Sequence, residues 1–112
     1  MAANLAIELT PDYAAGTVTG EIDGKTAPEI QARLVGLAET HARLRLDMEG
    51  VTFLSSSGLR MLLLLYRHFA AKSGEVILVA VPEEIRDTMS MTGFSSFFTF
   101  LDHASDPGPG RS

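Results

Sequence analysis

The sequence predicts an α/β domain with a mixed sheet, and three observations carry that reading. Apolar residues alternate with period two near the N-terminus, at Leu5, Ile7 and Leu9. A second kind of segment, 76–81, is a continuous β-branched and aliphatic run of strand length, the pattern of a strand covered on both faces. Between such strands lie stretches with helical spacing and helix-start chemistry, the most apolar of them following Ser55-Ser56-Ser57. The predicted order is β-β-α-β-α-β-α-β, with helices packed on the sheet through crossover connections.

The first strand ends at Pro11-Asp12, which is turn chemistry, and Thr17-Val18-Thr19 resume β composition, so residues 5–22 read as an antiparallel hairpin. Thr26-Ala27-Pro28-Glu29 matches a capping box with proline in the first turn, and starts a helix with apolar positions Ile30, Leu34, Leu37 and Ala38 that ends near Thr40. Leu44, Leu46, Val51, Phe53 and Leu54 are expected to form a buried strand interrupted around Glu49-Gly50. A helix over about 56–72 follows, closed by Ser73-Gly74 as a left-handed C-cap. Pro82-Glu83-Glu84 opens a short helix with Ile85, Met89 and Met91 facing inward, ending near Gly93, and Phe97, Phe98, Phe100 and Leu101 suggest a last strand. The domain is expected over 1–103. Residues 104–112, small, polar and rich in Pro and Gly, read as a disordered tail.

Composition narrows the function. With 112 residues, 46% of them hydrophobic, the chain can build one core without staples, and its lack of cysteine excludes disulfides and thiolate metal sites and fits the cytoplasm. His41, His68 and His103 are scattered, and no metal or other cofactor is expected. A net charge of −5 argues against direct nucleic-acid binding, and the apolar run 61–66, which no other run exceeds in length, is too short to insert in a membrane. Residues 1–4 lack the basic start of an export signal. With no nucleophile elbow, phosphate-binding loop or carboxylate pair, the chain is not expected to be an enzyme.

Binding chemistry concentrates at the serines. They stand at a helix N-terminus, where backbone N–H groups lack intrahelical partners and the helix dipole favours an anion such as phosphate; serines also serve there simply as caps. Gly58 fits close packing in the first helical turn. On a wheel of about 3.6 residues per turn, Leu59, Leu62, Leu63, Tyr66 and Ala70 form the core stripe. That leaves Arg60, Met61, Leu64, Arg67 and His68 on the other side, with Met61 and Leu64 as the centre of a partner-binding patch.

Three segments together resemble the STAS domains, and among them the small anti-sigma-factor antagonists of bacterial partner-switching systems: Gly20-Glu21-Ile22-Asp23 with Thr26-Ala27, Val51-Thr52-Phe53-Leu54-Ser55-Ser56-Ser57-Gly58-Leu59 after Asp47, and Met91-Thr92-Gly93-Phe94. The resemblance implies a regulator that binds an anti-sigma factor which is also a serine kinase, is phosphorylated by it, and is reset by a serine phosphatase, so controlling release of a sigma factor or other target. The accepting serine maps onto Ser56. The family's preceding aspartate maps onto Ser55, so a carboxylate is missing beside the acceptor. The family's loop aspartate maps onto Asp23, which on its own chemistry fits an Asx-type turn. Asp23, Ser55, Ser57, Gly58, Arg60, Met61 and Leu64 form the expected partner-binding set. The alternative is a STAS docking subunit of a transporter or signalling complex with no phosphate cycle.

Overall fold

A computed structural model describes residues 3–102. The expected tail, 104–112, and His103 lie outside the described residues. The elements run β1 (Ala3–Leu9), β2 (Ala14–Ile22), α1 (Ala27–Val35), a 3-10 turn (Gly36–Glu39), β3 (Arg43–Leu54), α2 (Ser56–Ala71), β4 (Glu75–Val79), α3 (Glu83–Met91), a second 3-10 turn (Ser95–Phe97) and β5 (Thr99–Leu101). This is the predicted order. The five strands form one sheet in the order β1-β2-β3-β4-β5, antiparallel between β1 and β2 and parallel thereafter.

Alternate strand residues point into a single core. Val18 on β2, Leu44, Leu46 and Met48 on β3, and Val76 and Leu78 on β4 share one buried cluster with Ile30 and Leu34 of α1, Leu62, Leu65 and Phe69 of α2, and Ile85 and Met89 of α3. One cluster with members from all three helices places those helices on one face of the sheet. No helix among the described residues covers the other face, where the ladder sets Ile77 between Arg45 and Thr99 and Val79 between Asp47 and Leu101. The middle strand is β3, and β4 stands one place from the edge, although Val76 to Val79 are all buried as expected.

Several local expectations are corrected. The strand read as interrupted near Glu49-Gly50 is continuous and carries two bulges. Val18 faces Met48 and Glu49 together, and Thr52 has no partner between the pairs Gly20–Val51 and Glu21–Phe53. Phe53, expected in the core, is therefore turned outward and is 50% exposed. Thr26 stands at the N-cap of α1 but makes no capping bond, so the capping box does not form. At the end of α2 the left-handed residue is Ser73, at φ 61°, not Gly74. Gly74 is needed for space, since a Cβ there would lie 2.1 Å from the Ala42 carbonyl oxygen. Met91 is 87% exposed, past the last inward turn of α3.

Candidate functional site at the carboxyl edge of the sheet

Because β2 through β5 run parallel, their carboxyl ends share one edge, and the loops leading into α1, α2 and α3 emerge there side by side. Open parallel sheets characteristically bind at this edge. Asp23 and Ser55 to Ser57 lie on two adjacent loops of it. The Met91-Thr92-Gly93-Phe94 segment follows α3 back to the opposite edge, so it supports the fold rather than the serines.

The serine loop is tied down at its first residue. The Ser55 N–H donates to the Ile22 carbonyl oxygen at 2.9 Å, joining the ends of β3 and β2. Its extended backbone (φ −81°, ψ 175°) turns the chain into α2, and its Oγ accepts from the Gly58 N–H at 3.2 Å as an N-cap. Gly58 is held against the same carbonyl. A Cβ at that position would lie 2.5 Å from Leu54 Cδ1 and 2.9 Å from the Ile22 oxygen, so the first turn of α2 sits this low on the sheet only because the residue is glycine.

The three hydroxyls consequently differ. Ser55 Oγ is committed to the cap. Ser57 is half-buried, lining a groove between α1 and α2. Ser56, the first residue of the helix, is exposed. The N–H groups of Ser56 and Ser57 precede the first intrahelical bond, which Leu59 makes to the Ser55 carbonyl at 2.9 Å.

The neighbouring loop is braced from within. Asp23 Oδ1 accepts from the N–H groups of Lys25 (2.9 Å) and Thr26 (3.1 Å), an Asx turn of the kind its sequence context allowed. Thr26 Oγ1 donates to the Glu21 carbonyl at 2.8 Å and accepts from the Asp23 N–H at 3.0 Å, which explains why it does not cap α1. The Lys25 and Thr26 N–H groups favour the charged carboxylate and hold the Asp23 carboxyl below its ordinary value of 3.8.

The groove between α1 and α2, about 310 Å³, is bounded by Gly24, Ala27, Pro28, Gln31, Ala32, Ser57, Arg60, Met61 and Leu64. It brings together four of the predicted residues: Ser57, Arg60, Met61 and Leu64. Two are placed differently from the wheel. Met61, expected on the partner side, is 2% exposed and belongs to the core, and Leu64, expected to be exposed, is half-buried in the groove wall. The buried stripe of α2 is Gly58, Leu59, Met61, Leu62, Leu65 and Phe69, whereas Leu63 and Tyr66 are half-buried and Ala70 is exposed. The sequence reading missed the α1 wall, whose signal was the run of small residues with Gln31 on the side away from Ile30 and Leu34.

The chemistry of this edge is that of recognition: hydroxyls, one arginine, a braced carboxylate and a shallow apolar groove. Among the described residues no group of three His, Asp or Glu could hold a metal ion, and no helix is long and apolar enough to cross a membrane.

The STAS domain family model matches residues 4–106. The anti-sigma-B factor antagonist of Bacillus subtilis is 30% identical over 76 residues, 68% of this chain and 70% of that protein. Among solved structures, an anti-sigma factor antagonist from Mycobacterium paratuberculosis superposes with a TM-score of 0.80 at 27% identity, covering 93% of this chain and 89% of that one. The antagonist SpoIIAA superposes at 20% identity in both its forms. The unphosphorylated form has a TM-score of 0.76 and 87% coverage of each chain. The phosphorylated form, described as a Bacillus cell fate determinant, has a TM-score of 0.72 and covers 87% of this chain and 90% of its own.

Proposed function

This chain belongs to the STAS-domain family, and we propose that it is an anti-sigma factor antagonist: a binding regulator that engages an anti-sigma factor through the serine loop and α2, and is switched by phosphorylation of Ser56. The observation that carries the reading is the division of labour among the three serines. Only Ser56 offers a hydroxyl that is exposed, free of a capping role and fixed at a helix N-terminus. The 30% identical relative is an antagonist by name, and SpoIIAA exists in a phosphorylated form on the same fold. The partner would be an anti-sigma factor with serine-kinase activity, opposed by a serine phosphatase, in the cytoplasm.

A phosphoryl group on Ser56 adds roughly −1.5 to −2 charge at neutral pH and three acceptor oxygens. The N–H groups at the start of α2 can receive it, so the domain stays folded. With Ser55 in the preceding position, the residue next to the acceptor in the chain adds no charge to repel that phosphate. The bound partner does not tolerate it, because bulk and like charge enter a poorly solvated contact with a nucleotide-carrying protein. A loss of about 3 kcal/mol weakens binding roughly a hundredfold.

The test is to incubate the protein with the cognate kinase and ATP, map the modified serine by mass spectrometry, and compare calorimetric affinities of the two forms. Modification at Ser56, its absence in Ser56→Ala, and a large loss of affinity on phosphorylation are expected. Equal affinities would sink the switch even if Ser56 carried phosphate.

A further inference from the structure

We infer that the contact surface continues past the serine loop onto the helix-free face of the sheet, and that Phe53 is an aromatic anchor there for the same anti-sigma factor. This rests on the reading above and extends it. Strict alternation from Val51 would put Phe53 in the core and Leu54 outside. The fold does the reverse. With Thr52 bulged out, Phe53 pairs with Glu21 on the outer face, and Leu54 pairs with Ile22 and reaches inward against Gly58. The larger apolar side chain is thus the one left half exposed, outside the core cluster. Bulges beside functional sites serve to re-aim a side chain, and burial alone gives no reason to make this exchange.

The position is rigid as well as exposed. Phe53 lies within the β2–β3 ladder, two residues before Ser55, whose N–H is bonded to Ile22. A partner that reaches from Ser56 around the edge of the sheet would find the ring at a fixed place. Aromatic side chains, phenylalanine among them, are enriched in binding interfaces relative to the rest of the surface. The complementary feature is an apolar pocket on the anti-sigma factor.

The experiment is calorimetric titration of the purified cognate anti-sigma factor with wild type, Phe53→Ala, Phe53→Gln and Ser56→Asp, each checked for folding by thermal unfolding. The expected result is an affinity loss of about tenfold or more in both Phe53 variants, with folding retained. If Ser56→Asp weakens binding while both Phe53 variants bind like wild type, the anchor is refuted and the serine reading stands. If wild type itself does not bind, the reading fails and the anchor with it. A change in sedimentation of the isolated variants with unaltered kinase affinity would assign the ring to contact between copies of this chain, and would also refute the proposal.

Discussion

The loops leading into α1 and α2 leave adjacent strands at the same edge of the sheet, yet they satisfy their helices in opposite ways. The first closes on itself: the Asp23 carboxylate takes two N–H groups, Thr26 bonds back to Glu21 and Asp23, and the Ala27 N–H reaches the Asp23 carbonyl at 2.8 Å. The second makes one side-chain cap, from Ser55 to Gly58, and is otherwise held by backbone and by steric fit. A helix start whose donors are used up is a brace, and one that keeps Ser56 exposed ahead of the intrahelical ladder is available to a ligand or partner.

Glycine substitution gives the largest way to break this contrast. Gly58→Ala must push against Leu54 and the Ile22 carbonyl, and should cost about 3 kcal/mol in denaturant unfolding, the upper end of overpacking effects. Gly24→Ala, with its nearest atom Ser57 Oγ at 3.7 Å, should stay within about 0.5 kcal/mol. Similar losses at the two positions would mean that the second loop is not set by fit.

Removing the single cap comes next. Ser55→Ala should lower stability by about 1 kcal/mol, and Ser55→Asp, which caps equally well and suits the dipole, should restore most of that loss while altering phosphorylation kinetics. Quenched-flow phosphorylation with the cognate kinase would measure the second effect, and an unchanged rate would show that this position is neutral.

The smallest effect concerns Asp23. Its folded-state carboxyl lies below 3.8, the ordinary value taken for the unfolded chain, so its contribution to stability is complete above that pH and is lost as pH falls through the folded value. Thermal unfolding of wild type should show that loss on acidification below about pH 4, and Asp23→Asn should remove this component of the slope. An identical acid slope in the variant would show that the brace does not depend on the charge.

Element order and type were legible because each rests on local chemistry: Pro11-Asp12 breaks a strand, Pro28 and Pro82 open helices, and the hydrophobic period separates strand from helix. What was not legible depends on register. Leu59 and residues 61–65 are all apolar, so no wheel drawn on them is unique, and only Phe69, four residues beyond Leu65, fixes which side faces the sheet. Met61 moved from surface to core by that small rotation. The bulges at Met48-Glu49 and Thr52 are likewise invisible, because they are defined by pairing with β2 rather than by composition. Asp23 was readable as a turn residue from its own chemistry, and its brace takes the form that chemistry predicts.

The sheet order carries a consequence for assembly. Each strand lies beside the strand that precedes it in the chain, from β1 to β5. No segment has to wait for a later one to complete its ladder, although each parallel pairing closes a loop across a whole helix, as between Ala14 and Leu44 or Arg43 and Glu75, and is slow to form for that reason. A chain emerging N-terminus first can therefore zip up strand by strand. The floor beneath the serines, where β3 meets the Ile22 carbonyl, is made by β2 and β3 alone. It can form while the chain that will become α3 and β5 is still being synthesised.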